Sequence, residues 1–243
     1  MMERLERRLW RQFDVVLYPS EDEAAAVRAL NPGTVVRSIV PFYTDSFPAR
    51  PRPTGGHGIL FVGGFAHPPN VDAAEFLVRA VFPILTARCP DVRLVLAGSN
   101  PTQVVRALAS DTVKVTGYVS DAELSRLYAT SRVAVVPLRF GAGVKGKVAE
   151  ALSEGVPLVT TPVGAEGIPG LERVAVVRDD AAGIAEALLA LLGDDGAWVA
   201  QSAAQAGFAE QHFSRETMRA SLIAALEAGE RAKRPPLPAT RAA

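Results

Sequence analysis

The chain has 243 residues, of which 49% are hydrophobic and 21% are charged, as in an ordinary soluble globular protein. Twenty-six basic residues balance 26 acidic ones, so a broad nucleic-acid-binding surface, which normally shows a basic excess, is not expected. The single cysteine, Cys89, excludes an internal disulfide and a metal site built from several cysteines, and the three scattered histidines form no helical zinc motif.

The N-terminal segment is charged from residue 3 and has no apolar core of a signal peptide, and no apolar run in the chain approaches the ~18 residues of a membrane span. The sequence therefore predicts a cytoplasmic protein. Leu5, Leu9 and Phe13 recur at helical spacing beside arginines, a pattern that also suits a helix on a membrane surface. We favour a docking helix with a solvated basic face, and peripheral contact with a membrane stays open.

Short runs rich in Val and Leu alternate with helical patterns along the chain. The runs are continuously apolar, which is typical of strands buried on both faces of a parallel sheet. The predicted strands are residues 14–18, 35–40, 59–62, 93–97, 113–116, 133–137, 158–161 and 174–177.

Between the later strands, apolar side chains recur at the 3.6-residue period of amphipathic helices. One such stripe runs from Val71 to Leu85 and stops near Pro90. Ser120 and Glu123 form a capping-box signature that begins another helix. The remaining predicted helices cover residues 148–152, 184–192 and 197–212, and a last one is capped by Ser214.

The order of these elements predicts an α/β fold with an open, doubly wound, Rossmann-like parallel sheet. We assign residues 58–230 to this domain and residues 231–243 to a Pro-rich disordered tail. Residues 48–57 are rich in proline and glycine and are interpreted as a linker. Residues 1–47 give a helix, a strand, a helix and a strand, and we interpret them as an incomplete N-terminal α/β remnant.

A glycine-rich loop joins a strand to a helix within residues 137–161. Glycines such as Gly141 and Gly143 let the backbone approach a ligand and turn its N–H groups inward. Helix N-termini attract anions, and Lys145 and Lys147 place positive charge there against the helix dipole. A bound anion removes that conflict, so the segment predicts a phosphate site. The simpler alternative is a tight turn whose lysines face water.

Two nucleotide-binding fingerprints match the same loop. The spacing of Gly141, Gly146 and Lys147 fits most of a P-loop, but Val148 stands where that motif needs a hydroxyl for magnesium. The three loop glycines also fit the dinucleotide fingerprint, with Glu166 about twenty residues later. Both motifs normally follow an early strand of their domain, whereas this loop follows the fourth, so we interpret both matches as coincidental.

The order of the signals resembles the donor-binding half of a family 4 glycosyltransferase with the GT-B fold (glycosyl transferases group 1). The matching stretches are ILFVGGFAHPPNVDAAEFL at 59–77, VRLVLAGSNP at 92–101 and residues 113–168, with a weaker match at 12–46 to the end of that family's first domain. The resemblance implies retaining hexosyl transfer from a nucleotide-diphosphate sugar, with UDP- or GDP-sugars expected, in polysaccharide or glycoconjugate synthesis. It also implies no essential metal and no separate cofactor.

The same resemblance implies roles for the charged residues of the loop and its helix. Glu150 matches the glutamate that binds the ribose hydroxyls, and a carboxylate suits a diol because it accepts two hydrogen bonds. Lys147, together with Lys145, would hold the diphosphate as point charges. An ordinary ion pair between Glu150 and Lys147, three residues apart on one helix, is the alternative.

The resemblance implies further donor-binding residues by their position in the matching stretches. It implies no catalytic residue and no metal ligand. Tyr118 and Val119 match a turn that contacts the base. Ala142 stands where the family has an acidic residue for the sugar, and Arg139 and Asn70 are candidates to compensate. His67 is interpreted as an exposed loop residue. Backbone groups near the phosphates and sugar would come from Gly63, Gly64, Gly141, Ala142, Gly143 and Val144.

A GT-B enzyme needs a second domain that carries most of the acceptor site, and two such domains exceed 243 residues. We therefore expect the donor half alone, inactive by itself. It is a fragment of a longer enzyme, a protein that works with a separate acceptor-domain subunit, or a non-catalytic nucleotide-sugar-binding or assembly module. A P-loop NTPase, the third class, would hydrolyse ATP with magnesium.

Overall fold

A computed structural model describes residues 6, 9–10, 12–48, 53 and 55–233. These residues form two compact units, which are described separately. The first combines the described residues up to Tyr43 with those from Arg215 onward, and the second is Thr44–Ser214. The predicted linker lies partly, and the predicted tail lies mostly, outside the described residues.

The first unit contains a parallel β–α–β arrangement. Strand β1 (Val16–Tyr18) pairs in parallel with β2 (Val36–Ser38), and helix α1 (Glu21–Leu30) connects them. The Ser20 hydroxyl caps α1 by accepting a 3.2 Å hydrogen bond from the Glu23 amide. The unit's small buried cluster consists of Trp10, Ala24, Val27 and Val36.

The second unit is built on six strands that are all parallel. The strands are β3 (Gly58–Val62), β4 (Arg93–Ala97), β5 (Val113–Gly117), β6 (Val133–Val136), β7 (Leu158–Thr160) and β8 (Val176–Val177). Their order across the sheet is β5-β4-β3-β6-β7-β8. The direction of winding therefore reverses between β3 and β6, where doubly wound sheets bind ligands outside the carboxyl ends of their strands. The predicted doubly wound parallel sheet is confirmed.

Helices flank this sheet. Those of the second unit are α2 (Pro68–Phe76), α3 (Phe82–Arg88), α4 (Gln103–Arg106), α5 (Asp121–Thr130), α6 (Gly146–Ser153), α7 (Pro162–Ala165), α8 (Ala181–Gly193) and α9 (Asp195–Phe213). Two of them, α4 and α7, were not predicted because each has only four residues.

The single helix predicted over residues 71–85 is wrong in one respect. A π-helical turn (Leu77–Val81) separates α2 from α3, and the Phe82 amide donates to the Leu77 carbonyl, five residues back. Pro83 follows immediately and has no N–H to continue the α-helical pattern. The hydrophobic stripe survives this change because Leu77, Val81 and Leu85 all remain buried.

The last helix, α10 (Arg215–Lys233), belongs to the first unit. The predicted domain boundary at residue 230 instead groups this helix with the second domain, and the helix runs three residues into the predicted tail. Of the apolar residues in the predicted N-terminal helix, Leu5 lies outside the described residues, and Leu9 and Phe13 are exposed. Among the described helices, none combines the length and the apolar character that crossing a membrane requires.

Candidate functional site

A pocket lies against the loops that follow β3 and β6, at the sheet's reversal point. Its volume is about 120 Å³, below the roughly 300 Å³ at which sites for whole drug-sized ligands begin. It therefore suits part of a ligand, such as an anionic group. Four predicted site residues line it: Gly141, Ala142, Lys145 and Lys147. The other lining residues are His67, Pro69, Asn70, Leu138 and Phe140.

Lys147 lies in the first turn of α6 and reaches back toward β3. Its ammonium donates to the Asn70 side-chain carbonyl and lies 5.0 Å from the centroid of the Phe61 ring. The Asn70 amide in turn donates to the Gly64 carbonyl over 2.8 Å. A Cβ at Gly63 would lie 3.1 Å from the Lys147 nitrogen, so the glycine makes room for this approach. Asn70 thus ties the loop after β3 to the lysine.

The electrostatics of Lys147 are unfavourable without a ligand. Burial, reinforced by the positive charge of Lys145, lowers the pKa of Lys147 to about 8. The nearby Glu150 carboxyl acts in the opposite direction but does not compensate. A desolvated lysine beside a second lysine is the arrangement that a bound anion relieves.

Lys145 is almost fully buried, with 9% of its surface exposed. Its ammonium donates to the Gly143 carbonyl and forms a 3.1 Å ion pair with Glu166. Glu166 therefore pairs with a residue of the loop, and this structural role accounts for the acidic residue without a dinucleotide-binding function. Val148, at the magnesium-ligand position of a P-loop, is completely buried and has no hydroxyl.

The loop itself needs glycine at two points. Gly141 and Gly143 have φ angles of +125° and +77°, in the region that side chains disfavour. The loop leads to Lys145, the N-cap residue of α6, which makes no side-chain cap hydrogen bond. Five other helices of the second unit begin with a side-chain cap, from Thr102, Ser120, Thr161, Asp180 and Asp194. The Val148 amide donates to the Lys145 carbonyl over 2.9 Å, so the amides of Gly146 and Lys147 are the ones that a bound anion could accept from.

Glu150 lies one turn further along α6 and faces a different partner. The Tyr128 hydroxyl donates a 3.0 Å hydrogen bond to one Glu150 oxygen. Burial raises the pKa of the Glu150 carboxyl, although this hydrogen bond opposes the shift. Tyr128 is 1% exposed and was not predicted, because its place in the apolar pattern of α5 looks like an ordinary core position. The ammonium of Lys147 bonds to Asn70, so the simple ion-pair interpretation of Glu150 loses its support.

The other predicted residues lie at the same edge of the sheet. Arg139 forms a two-pronged ion pair with Asp72, with one N–O distance of 2.9 Å, and its guanidinium lies 4.9 Å from the Phe76 ring centroid. Tyr118 and Val119 follow β5, which β4 separates from β3, and Tyr118 is 79% exposed. The remaining positions are the exposed Gly64 and Ala142 and the half-buried Val144. The predicted exposure of His67 is confirmed, yet His67 also lines the pocket.

The family model "Glycosyl transferases group 1" matches residues 56–194, more than half of the chain. A mannosyltransferase of Mycolicibacterium smegmatis, named for phosphatidyl-myo-inositol, is 30% identical over 152 residues, covering 59% of this chain and 38% of that protein. An uncharacterized 44.6 kDa protein of the cps region of Klebsiella pneumoniae is 26% identical over 163 residues, covering 64% of this chain and 41% of that protein. The chain thus spans about two fifths of the length of these curated relatives.

Solved structures show the same fold. S. aureus TarM, crystallised as a mutant with UDP, aligns with a TM-score of 0.74 at 11% identity over 90% of this chain and 44% of its own. Sucrose-phosphate synthase from Thermosynechococcus elongatus aligns with a TM-score of 0.72 at 22% identity, and the alignment covers 93% of this chain and 61% of the synthase chain. Anabaena HepE, crystallised with UDP and glucose, aligns with a TM-score of 0.68 at 14% identity, and the alignment covers 92% of this chain and 66% of the HepE chain. The expected GT-B-type fold is confirmed, and the chain belongs to the group 1 family of glycosyl transferases.

Proposed function

We propose that this chain binds the nucleotide-diphosphate sugar of a glycosyltransferase that retains the anomeric configuration of the transferred sugar. The observation that carries the proposal is the half-buried Lys147 at the uncapped N-terminus of α6, at the reversal point of the sheet. Two lysines, a helix dipole and open amides converge there, and a diphosphate satisfies all three.

The diphosphate would lie against the glycine loop and the first turn of α6. Lys147 contributes its charge from one side, and the loop of Gly141 and Gly143 contributes backbone N–H groups from the other. Asn70 holds the Lys147 ammonium in place, which limits the entropy lost when the ligand binds. Lys145 supports the loop through Gly143 and Glu166, and its charge adds to the positive potential.

The nucleoside would extend along α6 toward Glu150. Tyr128 holds one carboxylate oxygen, and the carboxylate keeps further acceptor sites for the two ribose hydroxyls. Tyr118 and Val119, on the turn after β5, are the candidates for contact with the base. The sugar would lie at the exposed loop around Ala142, where a methyl group replaces the acidic residue of the family.

In this proposal the chemistry of the transfer is the departure of the nucleoside diphosphate. The bond between the sugar and the diphosphate lengthens before the acceptor oxygen attacks, so negative charge builds up on the leaving oxygens. Lys147 and the α6 amides would stabilise that charge, and a preorganised cation of this kind acts most strongly in the transition state. The acceptor site would come from polypeptide beyond the donor-binding unit, in the same chain or in a partner, as part of polysaccharide or glycoconjugate synthesis.

Replacing Glu150 by glutamine tests the nucleoside part of the site. We expect Glu150→Gln to weaken UDP or GDP binding by roughly tenfold to a hundredfold, since hydrogen bonds to a charged acceptor contribute about 1.5–3 kcal/mol. Pyrophosphate has no ribose, so its affinity should stay unchanged. Calorimetric titration of both ligands, with and without magnesium, makes the measurement.

Glu154→Gln is the matched control, because Glu154 is the next acidic residue and caps the same helix at its C-terminal end. It should bind nucleoside diphosphates like the unmodified protein. If Glu150→Gln lowered the affinity for pyrophosphate as much as the affinity for UDP or GDP, Glu150 would lie at the phosphates, and the proposed orientation would be wrong. Binding of ATP with magnesium-dependent hydrolysis would instead favour the P-loop alternative.

The lowered pKa of Lys147 predicts how nucleotide affinity depends on pH. Only the protonated lysine attracts the diphosphate, and the terminal phosphate is already ionised above about pH 7. Above pH 7 the affinity should therefore fall as Lys147 loses its proton, by about tenfold between pH 7 and pH 9. Titrations across this range make the measurement, with Lys147→Arg as the comparison. Arginine stays charged, so a fall of the same size in that variant would assign the effect to another group.

A further inference from the structure

A second cluster of side chains lies at the opposite edge of the sheet from the candidate site. His57 directly precedes β3, and Asp91 lies two residues before β4. Since β3 and β4 are parallel neighbours, with Gly58 opposite Arg93, the residues before them lie side by side. Cys89 ends α3 and completes the group. One donor atom from each of the three residues lies within 4.8 Å of the others.

We propose that His57, Cys89 and Asp91 form a binding site for a Zn²⁺-like transition-metal ion. A nitrogen, a sulfur and a carboxylate oxygen are the three ligand types that zinc takes in proteins, whereas magnesium and calcium prefer oxygen alone. Three protein ligands leave the fourth tetrahedral position for water. This site is independent of the proposed sugar-nucleotide site.

The backbone around the cluster is fixed by hydrogen bonds. The Arg93 amide donates to the His57 carbonyl over 3.0 Å, which joins the starts of β3 and β4. The Val92 amide donates to the Cys89 carbonyl over 3.1 Å and closes the turn that carries both Cys89 and Asp91. The three ligands therefore stand on a rigid frame and need only side-chain adjustment.

The three side chains already contact one another, and bonds to zinc would replace these contacts. The His57 Nδ1 atom is 2.7 Å from one Asp91 oxygen, and the Cys89 thiol is 3.4 Å from the other. Bonds of 2.0–2.3 Å to a tetrahedral zinc place ligand atoms about 3.5 Å apart, which rotation of these exposed or half-buried side chains can reach. The exposed Asp91 leaves an entry path from solvent.

Metal binding must displace one proton at this site. The Cys89 thiol donates its proton to an Asp91 oxygen over 3.4 Å, so the sulfur is protonated before the metal binds. Zinc would bind the thiolate, and the thiol proton would pass to solvent or buffer. Affinity should therefore rise with pH. The bound ion would join the end of α3 and the starts of β3 and β4, which stabilises the folded chain.

Cobalt(II) and zinc(II) binding to the full chain tests the proposal. We expect one ion per chain, a thiolate-to-cobalt charge-transfer band in the near ultraviolet, and a melting temperature that rises with zinc. Cys89→Ser should abolish the band and lower the affinity for zinc by more than about tenfold. Loss of a residue that only hydrogen-bonds a metal ligand already lowers metal affinity by about that factor. His57→Gln and Asp91→Asn should weaken zinc as well.

Asp111→Asn is the matched control, because Asp111 lies two residues before β5 just as Asp91 lies two residues before β4. It should bind zinc like the unmodified chain. Circular dichroism and melting without metal establish that each variant is folded. Cobalt binding without the charge-transfer band, or zinc affinity unchanged in Cys89→Ser, would overturn the proposal, and so would competition by magnesium at equal concentration.

Discussion

Replacement of Lys147 by alanine is expected to lower the affinity of the chain for nucleoside diphosphates by about a hundredfold. The variant removes the charge that Asn70 positions at the start of α6, and charge-assisted contacts to phosphate contribute about 1.5–3 kcal/mol. Unlike Glu150→Gln, Lys147→Ala should lower the affinity for pyrophosphate by the same factor as the affinity for UDP or GDP. Calorimetry with both ligands therefore separates the phosphate role from the ribose role.

The expected loss of binding should come without a loss of stability. Burial holds the pKa of Lys147 well below that of a free lysine, so its protonated form is disfavoured in the fold. Lys147→Met keeps the length of the side chain beside Phe61 without this desolvated charge, and we expect its melting temperature to stay equal or rise. A residue that lowers the stability of the fold but contributes to ligand binding is typical of a functional site.

Lys114→Ala provides the control for net charge, because Lys114 is an exposed lysine on β5. It removes the same charge from the same unit and should leave the affinity within about twofold, since exposed charges are screened. If Lys147→Ala bound pyrophosphate as well as Lys114→Ala does, the proposed diphosphate site would be wrong. In a complete enzyme, an unchanged transfer rate in Lys147→Ala would remove its role toward the leaving group.

The strands could be predicted from the sequence because their burial leaves a local trace. All eight predicted strands occur, with bounds that agree within two residues. Strands covered on both faces show as continuous apolar runs, and glycines such as Gly155, with a φ of +65°, mark where helices end. The π-helical turn was missed because the stripe through Leu77, Val81 and Leu85 continues across it.

The side-chain contacts of the site could not be predicted in this way. Lys147 and Asn70 are 77 residues apart, Glu150 and Tyr128 are 22 apart, and His57 and Asp91 are 34 apart. These contacts depend on which strands are neighbours, and no local periodicity records that order. The residue types and the loop were recognisable, whereas their partners required the fold.

Replacement of Gly98 by alanine is expected to destabilise the second unit strongly. Gly98 follows β4 with a φ of +150°, and a Cβ there would lie 2.0 Å from the carbonyl oxygen of Gly63. The Gly63 carbonyl is a backbone group at the centre of the sheet and cannot turn away as a flexible side chain could, and the Gly63 amide donates to the Ala97 carbonyl over 2.9 Å. Relief requires the loops after β3 and β4 to separate. We expect a loss of about 3 kcal/mol or more in the free energy of unfolding.

Gly207→Ala gives the contrast that isolates this steric effect. Gly207 lies inside α9, and a Cβ there would meet nothing within 4 Å. Alanine at that point should raise the free energy of unfolding by about 0.5–1 kcal/mol, because it favours the helix. Urea unfolding of both variants measures the two opposite changes. A shift of less than about 0.5 kcal/mol in Gly98→Ala would mean that the loops after β3 and β4 move apart easily. Since Gly63 also lies beside Lys147 and Asn70, such movement would leave the proposed diphosphate site without its rigid wall.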